Sequence, residues 1–279
     1  MDIRSVERSK LQGLRETPQF EKVVSYMQHV QFETTGAVAV VTMNRPKANP
    51  LNRQLLTELL EAFDLAATDV DVRAVLFTSA VPRFFSAGFD AMEVFSYNRE
   101  QMTDFLGAFG NLINRILHFP KPVVGALPGH AVAGGAILAL ACDFRIMAEG
   151  DYRFAMNEID VGVVLPHSLF KMLTTAAGVP VARRMILAGE ALSPSKALEA
   201  GLVVRVVPEA QVATAGLELA HFMSGKPPAT FAALKRIILE STGVAGATFA
   251  PDVEPWFTSE ALARKEKIRA NLADAGRSR

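Results

Sequence analysis

Polar and apolar residues alternate early in the chain, and further along the apolar residues recur at helical spacing. The stretch QFETTGAVAVVTMNRP, residues 31–46, is rich in Val and Thr around a Thr-Gly turn, which predicts a β-hairpin. Asn52 follows and is suited to cap a helix over residues 52–69, where apolar side chains recur every three or four positions. The pattern therefore predicts a strand pair followed by a helix.

Strands and helices then alternate as far as residue 164, and helices dominate from about residue 166 onward. This order predicts an α/β core with a helical C-terminal part. Residues 1–29 are charged and helix-prone, and they precede the core as an extension. The later predicted elements are a strand (73–80), a loop (81–92), an amphipathic helix that stops at Pro120 (99–119), a strand (122–129), a helix opened by Gly134 and Gly135 (131–144), two short strands with a loop (143–164), and helices at 166–178, 180–189, 193–201, 209–225, 228–241 and 258–274.

The composition is that of an ordinary globular protein. Half of the 279 residues are hydrophobic, enough for one large core or one core with a smaller appendage. The 29 basic and 29 acidic side chains cancel, so we expect no nucleic-acid partner, because such proteins are normally basic. Cys142 is the single cysteine and lies in an apolar run, which predicts a core residue and rules out an intrachain disulfide.

Neither a membrane span nor a targeting signal is visible in the pattern. Every apolar stretch is broken before the roughly 18 residues that a membrane helix needs, so no membrane partner is expected. The first 24 residues mix acids with bases and contain no apolar signal segment. We therefore expect a cytoplasmic protein.

Two glycine-containing stretches are candidates for binding a carbonyl oxygen. One is SAGFD, residues 86–90, and the other is AGG, residues 133–135, at the start of a helix. A helix N-terminus presents unpaired N–H groups, and glycine lets a ligand oxygen approach the backbone. Two such loops side by side would stabilise an enolate or a tetrahedral oxyanion. Tight turns that allow close helix packing would leave the same pattern.

A third stretch, NEIDVG (residues 157–162), carries two acids in an apolar neighbourhood. A carboxyl group near a core has a raised pKa, which suits a base that moves protons. A solvated loop with an Asp cap is the alternative interpretation. Other chemistries lack their motifs, because the chain has no HExxH, CxxC, Walker loop, GxSxG or GxGxxG pattern. Its five histidines also lack ligand spacing, so no metal is expected.

The order of these stretches resembles one known family. TMNRPKANPLN, VRAVLFTSAVPRFFSAGFD, PKPVVGALPGHAVAGGAILALACDFRIMAE, FAMNEIDVGVV and GEALSPSKALEAGLVVRVVP follow one another as in the crotonase superfamily, the enoyl-CoA hydratases and isomerases. The resemblance covers residues 31–272 and implies an α/β fold, a crotonase-like spiral of ββα units with a C-terminal helical region. It divides the chain into an N-terminal helical extension (1–29), a spiral core (30–208) and a helical trimerisation region (209–279).

The family also implies a ligand and an assembly. Its members act on acyl-CoA thioesters, so coenzyme A is part of the substrate and no separate cofactor is expected. They assemble as homotrimers or as dimers of trimers, and the resemblance implies the same for this chain.

By this resemblance the backbone N–H groups of Phe89 and Gly134 form an oxyanion hole for the thioester carbonyl. The family's hydratases carry one glutamate at the position of Glu158 and another at the position of Ile137. Isoleucine cannot activate water, so Glu158 remains as the one proton-transfer base. At these positions the sequence closely resembles the mitochondrial-type Δ3,Δ2-enoyl-CoA isomerases, which implies transfer of a double bond from C3 to C2. Hydration or another acyl-CoA reaction is the alternative, and a non-catalytic binding member is a more distant one.

The same resemblance assigns the neighbouring residues. Dienoyl-CoA isomerases use a further aspartate where this chain has Pro166, which argues against that activity. Asp160 is then structural, Asp90 caps or braces its loop, and Asn157 hydrogen-bonds either Glu158 or the substrate. The predicted substrate-binding residues are Lys47, Ala48, Ser86, Ala87, Gly88, Phe89, Asp90, Gly134 and Asn157.

The phosphates of coenzyme A imply basic residues along its path. Arg45 and Lys47 precede the ANPLN turn, where the family runs its backbone past the adenine, and Arg264 and Lys267 lie on the last predicted helix. A solvated surface position is the alternative for each. Four phenylalanines of the segment FFSAGFDAMEVFSY are candidates for the acyl pocket, although some of them belong to the core: Phe84, Phe85, Phe89 and Phe95.

Overall fold

A computed structural model describes residues 27–244 and 252–277, with side chains described as far as residue 274. The predicted extension over residues 1–29 lies outside this part except for its last three residues, and the three-part division of the chain stays a prediction. Among the helices within these ranges, none has the length and apolar character that crossing a bilayer requires.

Ten strands and nine α-helices are found in the described residues. The strands are β1 (Val30–Thr35), β2 (Val38–Met43), β3 (Ala74–Ser79), β4 (Arg83–Ser86), β5 (Val123–Leu127), β6 (Gly129–Val132), β7 (Phe144–Ala148), β8 (Phe154–Ala155), β9 (Ala191–Leu192) and β10 (Arg205–Val207). The helices are α1 (Arg53–Thr68), α2 (Ala91–Val94), α3 (Arg99–Leu117), α4 (Gly134–Ala141), α5 (His167–Ala188), α6 (Pro194–Glu199), α7 (Val212–Ser224), α8 (Pro228–Ser241) and α9 (Ser259–Arg277).

The first elements form as the sequence pattern predicts. β1 and β2 pair as an antiparallel hairpin, with Gly36 in the turn at a φ of +56°. The side-chain oxygen of Asn52 accepts a hydrogen bond from the N–H of Leu55 at 3.0 Å and so caps α1. The hairpin, the helix and its cap are therefore confirmed.

The strands form two sheets that the chain visits in turn. The larger sheet has the order β1-β2-β3-β5-β7-β10 and is parallel except for the β1–β2 pair. The smaller sheet has the order β4-β6-β8-β9. β3, β5 and β7 of the larger sheet are each followed along the chain by a strand of the smaller one. The chain thus advances as a spiral of strand pairs separated by helices, which confirms the predicted α/β fold.

Helices pack on the larger sheet and bury its apolar side chains. Gly216 of α7 lies so close to the sheet that a Cβ there would be 2.8 Å from side-chain atoms of both Leu76 and Ala126. Phe63 of α1 meets Phe77 of β3 edge-to-face, with the ring centres 5.6 Å apart. Cys142 is buried, as predicted for a core residue.

The prediction fails at the short elements. β4 and α2 lie within residues 81–92 or overlap their end, where Pro and Gly predict a loop, and β6 ends inside the stretch assigned to a helix over 131–144. β9 and β10 interrupt a region in which the pattern shows only helices. Strands of two to four residues contain too few positions for a periodicity, and they form because a remote strand offers hydrogen-bond partners. The two helices predicted on either side of residue 179 meet at a kink at Gly178, where φ is +76° and ψ is 161°.

Candidate active site

The start of α4 is built by close packing of backbone on backbone. Ala133 precedes the helix with φ +49° and ψ −124°, a backbone conformation rare for a residue with a side chain. Its N–H donates to the carbonyl of Ala155 at 2.8 Å, which ties the helix start to β8. A Cβ on Gly135 would lie 2.4 Å from the carbonyl oxygen of Ser86. Gly135 is therefore required by the contact between α4 and the end of β4.

The loop after β4 packs against the start of α4. The N–H of Leu51 donates to the Gly88 carbonyl at 2.7 Å, and the N–H of Asp90 donates to the Leu51 carbonyl at 2.8 Å. This is a parallel β-bridge, in which the N–H of Phe89 points away from Leu51. Gly88 has φ +88°, and a Cβ on it would lie 3.3 Å from the backbone nitrogen of Gly134. The two glycine loops predicted from the sequence therefore touch.

Neither candidate donor is committed elsewhere in the described part of the chain. Gly134 is the first residue of α4, so its N–H has no acceptor within the helix. The N–H of Phe89 forms no hydrogen bond within the described residues. Unbonded N–H groups on two segments in contact, one of them a helix start, are donors of the kind that stabilise a carbonyl oxygen as it gains negative charge.

Polar contacts hold the SAGFD loop in place. The Ser86 hydroxyl donates to the Asn49 carbonyl at 2.8 Å, and the Ala87 N–H donates to the Ala48 carbonyl at 2.9 Å. These two hydrogen bonds fix the loop at Ser86 and Ala87 to the segment that contains Ala48 and Asn49. Lys47 is exposed beside them.

Asp90 and Arg45 form a brace beside this loop. The Asp90 carboxylate accepts the N–H of Met92 at 3.0 Å and thereby caps α2. Its other oxygen pairs with the Arg45 guanidinium at 2.7 Å, and Arg45 also donates to the Pro50 carbonyl at 2.8 Å. The cap predicted for Asp90 is present. The Arg45 guanidinium is thus hydrogen-bonded within the protein, which distinguishes it from a solvated cation that is free to bind a phosphate.

Glu158 carries a buried carboxylate. It begins a 3₁₀ turn, Glu158–Val161, and is 5% exposed. Within the described structure neither carboxylate oxygen has a hydrogen-bond partner. Burial penalises the charged form and raises its pKa from 4.5 to about 7. A carboxylate of this kind is suited to accept and return protons near neutral pH.

The helix α9 supports the turn that carries Glu158. Arg264 of α9 donates a hydrogen bond to the Asp160 carbonyl at 3.3 Å, and Asp160 itself is exposed. Gly162 closes the turn at φ +75°, and a Cβ there would be 2.7 Å from the Cβ of Ala261. Lys267 is exposed on the same helix.

We expect Gly162→Ala to destabilise the protein by about 1–3 kcal/mol, because alanine is strained at this φ and would collide with Ala261. Urea unfolding of the variant measures the loss. Gly225→Ala is the matched control, because Gly225 has an ordinary φ of −75° and its Cβ would meet nothing closer than 3.5 Å. Equal stability of the two variants would contradict this account of the turn.

One cavity has both Phe89 and Glu158 in its wall, whereas Gly134, which lies against the Phe89 ring, is not among its described lining residues. Its empty volume is about 360 Å³, which includes the part of the cavity that opens to solvent. Ile137, one turn into α4, lies in the same wall. Glu158 is the one ionisable side chain among the described residues of the lining. The other lining residues are Leu106, Phe109, Gly110, Val163, Val164, Leu165, Pro166 and Leu169.

Several predicted neighbours lie elsewhere. Asn157 does not hydrogen-bond Glu158, since both carboxylate oxygens lack partners in the described residues, so that alternative is wrong. Phe89 is the one phenylalanine of the predicted four that lines the cavity. Phe85 is buried against Phe77, Phe84 packs on His130 and Phe95 packs on Trp256. These three rings pack in contacts outside the described cavity wall.

The sequence analysis missed the wall that α3 provides. Leu106, Phe109 and Gly110 line the cavity, and Phe109 packs edge-to-face on Phe89 with ring centres 5.1 Å apart. Their spacing of three and four positions is visible in the sequence as one face of a helix. That signal cannot say which apolar face meets a cavity and which meets the core. The segment 163–165, which follows the Glu158 turn, was also missed, because an apolar segment outside helices and strands has no periodicity that distinguishes a cavity wall from the core.

Comparison with known proteins agrees with this geometry. Residues 33–250 match the family model described as enoyl-CoA hydratase/isomerase. The chain is 34% identical over 184 residues to enoyl-CoA delta isomerase 1, mitochondrial, of Rattus norvegicus, covering 66% of this chain and 64% of that protein. It is 36% identical over 203 residues to a probable enoyl-CoA hydratase of Bacillus subtilis (strain 168), covering 72% of this chain and 78% of that protein.

A solved structure shares the fold. The crystal structure of human mitochondrial delta3-delta2-enoyl-CoA isomerase aligns with a TM-score of 0.81 and 28% identity, over 89% of this chain and 99% of that chain. The matched segment spans just under two thirds of the rat isomerase, 64% of its length. Relatives named as isomerases and as hydratases occur at similar identity. On the family match and these relatives together, the chain belongs to the enoyl-CoA hydratase/isomerase family.

Proposed function

We propose that this protein is an enoyl-CoA isomerase that moves a double bond from C3 to C2 of an acyl-CoA. The proposal rests on one observation: Glu158 shares its apolar cavity with Ile137 and with no other ionisable side chain among the described lining residues. Adding water to a double bond needs a group that activates the water and a group that manages the proton at C2. Shifting a double bond needs one proton removed and returned, which one carboxylate can do.

The proposed reaction has two proton transfers. The thioester oxygen accepts hydrogen bonds from the N–H groups of Phe89 and Gly134. Glu158 removes a proton from C2, and the electron pair spreads over the oxygen and the C3–C4 double bond as a dienolate. Glu158 then gives the proton to C4, the C2–C3 double bond forms and the carbonyl is restored. No atom is gained or lost, and the two N–H donors stabilise the negative oxygen between the steps.

The raised pKa of Glu158 predicts the pH dependence of the reaction. The free enzyme needs Glu158 ionised, so kcat/KM should rise with pH through about 7 and level off above it. Initial rates of isomerisation measured from pH 5 to 9 at constant ionic strength give this profile. A profile that is already flat from pH 5 upward would show that a base of ordinary pKa acts instead.

A paired assay tests the proposed reaction. One arm offers 3-hexenoyl-CoA and follows the absorbance of the conjugated 2-enoyl thioester as it forms. The other arm offers crotonyl-CoA and follows the loss of conjugation on hydration. We expect fast isomerisation and slow hydration. Fast hydration would favour the hydratase function that the B. subtilis relative carries in its name, and activity in neither arm would favour another acyl-CoA reaction or a binding role.

The ligand and the assembly are part of the proposal. Coenzyme A enters as part of the substrate, and no separate cofactor takes part. We propose a homotrimer or a dimer of trimers, which the exposed apolar side chains Leu234, Ile237 and Ile238 of α8 support because such side chains are usually covered in an assembly. Light scattering during size-exclusion chromatography measures the assembly. The cytoplasmic location stays a prediction from the sequence.

A further inference from the structure

We propose that Gly110 sets the length of the acyl chain that the site accepts, and that this chain is an unsubstituted hydrocarbon. The inference rests on the proposed function for its substrate. Gly110 lies in the interior of α3, Arg99–Leu117, and lines the cavity that holds Glu158. A glycine that opens space beside the acyl group would admit chains that a larger residue excludes.

Gly110 is placed by helix geometry in the wall of the cavity. Leu106 lies four residues earlier, and residues four apart lie one above the other on the same helix face. Both residues line the cavity, together with Phe109. A side chain at position 110 would therefore extend from the helix face that lines the cavity.

The backbone does not require glycine at this position. Gly110 is not among the residues with positive φ, and it forms part of a regular helix of 19 residues. Glycine weakens a helix interior relative to alanine because it leaves the unfolded chain more freedom. The place of Gly110 in the cavity wall is the observation on which its role rests.

The cavity wall also defines the chemical class of the acyl group. Apart from Glu158, the lining side chains are apolar, from Leu106 on α3 to Leu169 on α5. A hydroxyl or carboxylate on the acyl chain would lose its water there without gaining a partner, which disfavours binding. Each methylene buried in such a wall strengthens binding about fourfold.

A chain-length series tests the role of Gly110. Isothermal calorimetry gives the Kd of hexanoyl-, octanoyl-, decanoyl- and dodecanoyl-CoA for the unmodified protein, Gly110→Ala and Gly110→Val. We expect Gly110→Val to change the Kd of the shortest ligand by less than about threefold. The same variant should raise the Kd of the longest ligand that the unmodified protein binds tightly by about tenfold or more. Gly110→Ala, the smaller change, should shift the series in the same direction.

Gly107→Ala is the matched control, because Gly107 lies on the exposed side of the same helix and its Cβ would meet nothing within 4 Å. Its series should match that of the unmodified protein. Uniform weakening of all four ligands by both Gly110 variants, or the same shift in Gly107→Ala, would overturn the proposal. If Gly110→Val does not fold, the ratio of longest to shortest ligand in Gly110→Ala decides it.

Saturated ligands separate this inference from the proposed reaction. Saturated acyl-CoAs cannot be isomerised, so their Kd values depend on the wall and not on the chemistry. A length shift without isomerase activity would keep Gly110 as the length determinant and reject the isomerase. Isomerase activity without a length shift would keep the proposed reaction and reject Gly110 as the length determinant. A 6-hydroxyhexanoyl-CoA ligand that binds as tightly as hexanoyl-CoA would overturn the assignment of a plain hydrocarbon chain.

Discussion

Glu158→Gln is expected to lower kcat for isomerisation of 3-hexenoyl-CoA by about 10²–10⁴-fold, the usual contribution of a positioned proton-transfer group. The amide has almost the shape of the carboxyl group, so the cavity should keep its form, but it cannot remove a proton from C2. Steady-state rates with the unmodified protein and the variant measure the loss. Retention of near-full turnover in the variant would show that another group moves the proton.

The same variant should be more stable than the unmodified protein at high pH. The pKa of Glu158 is about 7 when folded and 4.5 in its ordinary state, so the folded protein holds the proton more tightly. That stabilisation is complete below about pH 4.5 and is lost as the pH rises through 7, by about 3 kcal/mol. The amide of the variant does not ionise, so urea unfolding of Glu158→Gln should lack this step. Identical pH dependence of the two proteins would mean that Glu158 is not desolvated.

Gly88→Ala is expected to lower kcat/KM by about 10²–10³-fold, the usual effect of losing one oxyanion donor. A Cβ on Gly88 would lie 2.9 Å from the Cβ of Ala133 and 3.0 Å from the Val132 carbonyl oxygen, and φ +88° is strained for alanine. The two loops must separate to accommodate it. Separation moves the N–H groups of Phe89 and Gly134 apart, so that one carbonyl oxygen can no longer bind to both.

Thermal unfolding shows whether the loss in Gly88→Ala is local. A folded variant with a low kcat/KM supports the paired donors, and Gly225→Ala again serves as the control with an unstrained backbone. A binding assay with a saturated acyl-CoA adds a second readout, because ground-state binding should change less than turnover. Full kcat/KM in a folded Gly88→Ala protein would mean that the carbonyl oxygen binds elsewhere.

Local chain chemistry explains what the sequence reveals of this site. The glycine pair that opens α4, the loop around Gly88 and the acid at position 158 are each determined by neighbours within a few residues, so their motifs are visible in the sequence. Ile137 is visible for the same reason, since one helical turn fixes its place relative to Gly134. These predictions concern short segments, and the structure brings those segments together around one cavity.

Contacts between remote segments explain what the sequence does not reveal. The pairing of Arg45 with Asp90 joins residues 45 positions apart, and either residue alone is indistinguishable from a solvated charge. Leu106 and Gly110 belong to a helix whose apolar residues face both the core and the cavity. The short strands β9 and β10 form only where β8 and β7 offer them an edge. Such features depend on tertiary packing, which no local pattern records.

The support that α9 gives to the Glu158 turn has a consequence for the order of events during synthesis. Arg264 and the Asp160 carbonyl that it binds are 104 residues apart. Once β10 has been synthesised, the growing chain contains every described strand of both sheets. At that stage α9, which supports the Glu158 turn, has not yet been made. We expect a nascent chain to fold its sheets first and to become a catalyst only when α9 docks, since earlier segments generally fold first. Proteolytic removal of α9 would then abolish the proposed isomerase activity and leave both sheets folded.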